Sequence, residues 1–200
     1  MISDKRAFLI DALKKEFNLD KDALLGMHLE SINHMLRCGE MAEKYAIYSL
    51  FNENEVERLT KCALLHDMGK IAISPEILYK KRITEEEFIL IKRHVEYDYK
   101  YEDEAIRDSI HYHHCCPYGR GYGYQNDKKY AEIHQYAKIV SLLDVYDVLT
   151  HIRAYKNFIM SIDEVVEELG RNSDIQFDKN TCESFIVFLK KSFIDLQKII

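Results

Sequence analysis

The run Ala63-Leu64-Leu65-His66-Asp67-Met68-Gly69-Lys70-Ile71 sets an imidazole and a carboxylate inside an otherwise apolar stretch. A fold that buries this stretch must bury both polar groups with it, and neither tolerates burial without a partner. A metal ion would satisfy the two together. A His-Asp pair recurs by chance in many chains, so its meaning depends on whether further ligands stand where a fold can bring them to it.

The rest of the chain is built to make helices. Seven glycines and two prolines in 200 residues, against abundant Leu, Ile, Glu, Lys and Tyr, favour an all-α protein. Apolar periodicity predicts helices over 3–17, 22–48, 53–67, 84–100, 103–114, 129–150, 162–170 and 179–198. Thr84-Glu85-Glu86-Glu87 has the form of a capping box, Asn54 is a weaker start signal and Gly170 a stop signal. No repeat, low-complexity tract or long linker divides the sequence. The expectation is one domain over 1–200, a compact helical bundle with flanking helices at 1–20 and 179–200.

Candidate ligands fall on several of these helices. Glu30 and His34 are one turn apart on one face. His66 and Asp67 end a second helix, His94 a third, and His113 and His114 a fourth. Asp144 lies within the apolar stripe Ile133, Tyr136, Ala137, Val140, Leu143, Asp147, Val148, which points its carboxylate into the bundle. A carboxylate buried there needs a cation to keep its charge. Each group taken singly has a plainer explanation. His94 or His114 would stabilise a helix C-terminus, Glu30 and His34 would form a surface pair, and Asp144 and Asp147 would pair with Arg153 or Lys156. Taken jointly, they describe a metal site between helices. The mixed nitrogen and oxygen donors suit iron or manganese, with zinc or nickel also accommodated, and the set contains no thiolate. So many ligands over-supply one ion. Two divalent transition-metal ions sharing Asp67 fit better. His28, His134 and His151 have no matching partners and are expected at the surface, and His111 is expected exposed or behind the ligands.

Charge and cysteine content narrow the partners. A net charge of -6 without a basic stripe argues against general nucleic-acid binding. The N-terminal residues lack a signal-peptide core, and no stretch approaches the ~20 apolar residues of a membrane span. Five cysteines without CxxC spacing imply free thiols, so the expected setting is the cytoplasm.

These residues resemble the HD-domain metal-dependent phosphohydrolases, and more closely the HD-GYP branch that cleaves cyclic di-GMP. The resemblance runs from about Glu30 to Phe177. It is carried by His66-Asp67-Met68-Gly69-Lys70 with the following Ile71 to Leu78, by His94, by His113-His114, by Asp144-Val145-Tyr146-Asp147, by Arg153-Ala154-Tyr155-Lys156 and by Phe177-Asp178. The signature loop departs. Where the family reads His-His-Glu-Arg-x-Asp-Gly-x-Gly-Tyr-Pro, this chain reads His113-His114-Cys115-Cys116-Pro117-Tyr118-Gly119-Arg120-Gly121-Tyr122-Gly123. The resemblance implies an HD-type helical bundle and a phosphodiesterase acting on a small cyclic dinucleotide. Asp67 would then serve the metals and the catalytic centre together, and Glu30, one turn before His34, looks like the additional ligand of members that hold three ions. Lys70 would contact the scissile phosphate, Arg153 and Lys156 would hold phosphate oxygens, and Gly121 and Tyr122 would line the cleft. The loop from Cys115 to Gly123 would also meet a signalling protein, and Cys115-Cys116 offers a redox element or an inert substitution. Two rival expectations remain: an HD enzyme for another nucleotide or phosphomonoester, and a non-catalytic nucleotide-binding module.

Overall fold

Side-chain caps start most of the helices, which fixes where each begins and which way it points. The computed structural model describes residues 2–97, 101–119, 121–123, 128–152 and 158–197. Asp4 caps α1 (Lys5–Phe17) and Asp20 caps α2 (Lys21–Tyr48). Asn52 and Glu55 form a capping box at α3 (Glu53–Leu65), and Thr84 with Glu87 forms another at α5 (Glu85–Lys92). Ser74 caps the short α4 (Pro75–Leu78), Asp103 caps α6 (Glu104–Tyr112), and His134 caps α7 (Gln135–Thr150). A third box, Ser161 with Glu164, opens α8 (Ile162–Asn172), and α9 (Lys179–Gln197) closes the described chain. The described residues contain no strand, and none of their helices is long and apolar enough to cross a membrane.

The main core is a continuous cluster from Leu9 and Leu13 on α1 to Phe185 and Leu189 on α9, and Tyr112, Ile133 and Ala137 form a small second cluster between α6 and α7. Helices α2 and α3 pack most closely, with Leu64 lying against Gly39. Leu24, Ile32, Met35, Leu59, Leu65, Met68, Ile110 and Phe177 are fully buried between them and their neighbours. Burial on this scale, at ~25 cal/mol per Å² of apolar surface, drives the assembly and carries the polar residues between these side chains inward with it.

Several helix ends differ from the periodicity. The first turn of α3 is capped by Asn52 rather than Asn54, and α3 stops at Leu65, so His66 and Asp67 leave it in a tight turn leading to the 3-10 segment Met68–Ala72. The stretch expected over 84–100 breaks after Lys92 into a 3-10 turn, Arg93–Glu96. The helix expected from 129 begins at Gln135, because the chain first makes the 3-10 turn Tyr130–Glu132, closed by Ile133, and His134 then caps the helix by accepting the Tyr136 amide. Gly170 does not stop α8, which runs to Asn172 with Ser173 as its cap. His28, expected at the surface, is buried, because α2 breaks its helical backbone there (φ -128, ψ 23).

Asp103 joins two of these helices. Its carboxylate accepts from the amides of Ala105 and Ile106 and takes both arms of Arg58 on α3, at 2.7 and 2.8 Å. The Arg58 hydrogen bond, working against partial burial, holds the Asp103 carboxyl below its ordinary value. Its stabilisation is therefore complete above the unfolded carboxylate pKa and is lost as pH falls through the lower folded value. Asp103→Ala should lower stability by about 1–2 kcal/mol near neutral pH, read from urea unfolding. The gap from native protein should narrow on acidification.

Candidate metal centre

Helix ends deliver most of the candidate ligands. His66 ends α3 and Asp67 follows it; His113 ends α6 and His114 follows it; His94 sits in the 3-10 turn after α5. His34 projects from the middle of α2 and Asp144 from α7. His34, His66, Asp67, His94, His113 and Asp144 are all buried, and His114 is partly so. The imidazoles of His66, His94 and His113 each turn Nδ1 toward a backbone carbonyl of their own segment: Ala63 at 2.8 Å, Ile91 at 2.6 Å and Ser109 at 2.7 Å. Nδ1 must donate to a carbonyl, so the proton is fixed there and each Nε2 presents a bare lone pair.

Those lone pairs converge on Asp67, whose two oxygens serve different neighbours. Oδ1 lies 3.2 Å from His94 Nε2 and 3.6 Å from His113 Nε2. Oδ2 lies 3.3 Å from His34 Nε2 and 3.6 Å from His66 Nε2. Asp144 divides in the same way, with Oδ1 3.1 Å from His34 Nε2 and Oδ2 3.9 Å from His114 Nδ1. Two four-residue sets of potential ligands result, Asp67-His94-His113-His114 and His34-His66-Asp67-Asp144, with Asp67 in both, and a third group sets Cys38 beside His34 and His66. Glu30 joins neither set and instead lines the adjoining cleft.

Acceptor atoms facing one another in a dry space call for a cation. Among the described residues eight buried side-chain nitrogens and oxygens lack a hydrogen bond, and five of them meet here: Nε2 of His66, His94, His113 and His114, and Oδ1 of Asp67. Leaving such an atom unmatched costs about 1–3 kcal/mol, so five together are hard to explain as packing accidents. The protonation states also suit a cation. Burial drives His66 down to about 3 and lowers His94 and His114, which keeps these rings neutral. Burial opposes ionisation of Asp67, yet Lys70 and His66 outweigh it and hold the carboxyl well below its ordinary value. For Asp144 the same burial is outweighed by His34. At His34 burial opposes the charged ring, but Cys38 and the carboxylates of Asp144, Asp147 and Asp67 hold its pKa well above the usual range. Neutral nitrogens at His66, His94 and His114 and ionised oxygens at Asp67 and Asp144, with no thiolate in either four-residue set, fit divalent transition-metal ions, while His34 would have to give up its proton to join them.

Residues behind these side chains set their positions. His34 Nδ1 lies 2.7 Å from Asp147 Oδ2, and Arg37 grips Asp147 through two hydrogen bonds of 2.5 and 2.9 Å. His151, expected at the surface, is half-buried with Nδ1 3.1 Å from Asp147. Asp147 thus pairs with Arg37 and His34, whereas Arg153 and Lys156 lie outside the described residues. The stripe on α7 put Asp147 on the buried face, but nothing in the spacing tied it to Arg37. Asp108 is also buried and binds Lys128 at 2.6 Å and the His134 amide at 2.6 Å, which docks the middle of α6 on the start of α7. His134, likewise expected at the surface, is half-buried. His111 Nδ1 meets the Val95 carbonyl at 2.6 Å and ties α6 to the turn holding His94.

Two glycines permit close backbone approach. A side chain at Gly69 would collide with the His94 carbonyl, so the segment after Asp67 lies flat on the His94 turn only because residue 69 has no Cβ. A side chain at Gly121 would strike the His114 carbonyl. The loop therefore folds back, the Tyr122 amide donates to His114 O at 3.1 Å, and the Tyr122 ring stacks on the His114 ring at 4.4 Å. Cys115 and Cys116 pack beneath this loop as free thiols, and burial pushes the Cys115 thiol up to about 11, which favours an inert role. Lys70 places its ammonium on Asp67 Oδ2. It also lines a cleft of about 410 Å³ whose wall includes Glu30, Tyr79, Lys81, Phe88, His114, Tyr122 and Asp144.

Comparison with known proteins places these features in a wider group. The family model described as HD domain matches residues 31–149. A cyclic di-GMP phosphodiesterase response regulator of Xanthomonas campestris is 32% identical over 143 residues, covering 68% of this chain and 36% of that protein. A 3′3′-cGAMP-specific phosphodiesterase of Vibrio cholerae is 26% identical over 166 residues, covering 79% and 30%. A cyclic di-GMP phosphodiesterase of Thermotoga maritima is 27% identical over 214 aligned positions, covering 97% and 57%. The chain thus spans between about a third and just over half the length of these relatives.

The shared carboxylate makes a stoichiometric prediction. Elemental analysis of Asp67→Ala should find less bound metal than His94→Ala, because Asp67 belongs to both sets and His94 to one. Gly69→Ala should reduce metal content without touching a ligand. Full metal content in Gly69→Ala would show that the close approach of residue 69 to His94 does not hold the ligands in place.

Proposed function

The chain belongs to the HD domain family, and from that membership we propose that it is a metal-dependent phosphodiesterase whose substrate is a cyclic dinucleotide, cyclic di-GMP foremost. The observation that carries the reading is the convergence of four unpartnered Nε2 atoms and two divided carboxylates at one end of an open cleft. The names of the relatives support a cyclic dinucleotide, and they include both cyclic di-GMP and 3′3′-cGAMP. His34, His66, His94, His113, His114, Asp67 and Asp144 would hold two ions, with iron or manganese suiting the donors first.

Bound divalent ions would acidify a water to near-neutral pKa and neutralise charge on the phosphoryl group. The protein's own residues do the positioning. The Nδ1–carbonyl bonds of His66, His94 and His113 keep the rings from rotating as the charge distribution changes, which is the preorganisation such a reaction needs. Lys70 stands at the mouth of the site and would donate to a non-bridging phosphate oxygen, exchanging part of its contact with Asp67. Tyr122, held against His114, would close one side and exclude bulk water. Gly121 keeps that wall close.

Anaerobically purified protein loaded with iron or manganese should hydrolyse cyclic di-GMP and lose the activity on chelation. Lys70→Ala should lower kcat roughly 100-fold, the scale of removing one charge-stabilising donor. A panel of cyclic di-GMP, 3′3′-cGAMP, linear dinucleotide and nucleoside monophosphates separates the alternatives. Preference for a monophosphate would favour a phosphomonoesterase, and binding without turnover would favour a non-catalytic module.

A further inference from the structure

We propose that Lys81, with Phe88 and Ile83, forms a second subsite that receives the nucleotide unit not being cleaved, its phosphate at Lys81 and its base against Phe88 and Ile83. This rests on the phosphodiesterase reading of the metal end and narrows the substrate to molecules with two nucleotide units. The cleft has two chemically different parts. Its inner end holds His114, Asp144 and Lys70, and its outer wall comes from the segment between α4 and α5 and from α5 itself.

Cations are unevenly committed along this cleft. Lys70 is engaged by Asp67, and Lys80 by Glu87 at 2.7 Å. Lys81 lines the same cleft, is exposed, and makes no ion pair among the described residues. The metal end and Lys70 already provide for one phosphate, so a further ammonium on the outer wall suits a second anion. Beside it the apolar surface is also uncommitted. No residue of α5 is buried, and Phe88 and Ile83 each remain 41% exposed. The Lys92 ammonium lies 4.6 Å from the Phe88 ring centre and helps hold the ring in place. An aromatic face next to a cation is the combination that binds a base together with its phosphate. The cleft volume of about 410 Å³ leaves room beyond the scissile phosphate.

The test compares cyclic di-GMP with bis-p-nitrophenyl phosphate, a diester with a single phosphate, on the metal-loaded chain. Lys81→Glu and Phe88→Ala should each raise KM for cyclic di-GMP about tenfold, and the ratio of kcat/KM values between the two substrates should fall by a similar factor. Lys81→Arg should restore most of the ratio. A ratio within twofold of native in Lys81→Glu and Phe88→Ala would overturn the subsite. Equilibrium binding separates this from the hydrolysis reading. Should the native protein bind cyclic di-GMP without cleaving it, and Lys81→Glu weaken that binding tenfold, the subsite stands and hydrolysis falls. Should the native protein neither bind nor cleave it, the subsite is wrong.

Discussion

The structure depends on a cluster of acceptors that have been denied their protons. In water each imidazole would choose its tautomer freely and each carboxylate would collect solvent donors. Here Nδ1 of His66, His94 and His113 is committed to a carbonyl, so Nε2 faces inward as a lone pair beside Asp67. Such an arrangement is unfavourable without a cation and strongly binding with one. The bundle can carry it because the surrounding apolar contacts are extensive enough to hold these groups together.

That requirement explains the placement of the candidate ligands at helix ends. A histidine in the last turn, or just after it, finds a carbonyl three or four residues back that the helix no longer uses. The end of the helix therefore supplies both the ligand and the group that orients it. The bundle then has only to bring several such ends to one place. Asp108 does this for α6 and α7, His111 for α6 and the His94 turn, and Gly69 for the His94 turn and the segment after Asp67.

Much of this was legible in the chain. Scarce glycine and proline, the capping box at Thr84 and the apolar stripes pointed to an all-α bundle. Asp144 stood out because a charged group on a buried face must have a reason. What the sequence concealed were interactions between residues far apart. Arg37 and Asp147 are 110 positions apart, and their pairing appears only when α2 meets α7. Periodicity also carried helices through His66, His94 and His134, because side-chain pattern does not register a hydrogen bond that ends a helix. His28 was misplaced for a related reason. A lone histidine with no spaced partner looks like a surface residue, and the backbone break that turns it inward leaves no mark in composition.

The candidate ligands are not held in one manner. His66, His94 and His113 take their orientation from main-chain oxygens, which no side-chain replacement can delete. His34 takes its orientation from Asp147, which Arg37 steadies from a position 30% exposed to solvent. One part of the centre is therefore written into the path of the backbone and tolerates drift around it. The other part is editable through a residue at the surface, and a protein of this kind can be retuned there without rebuilding its fold.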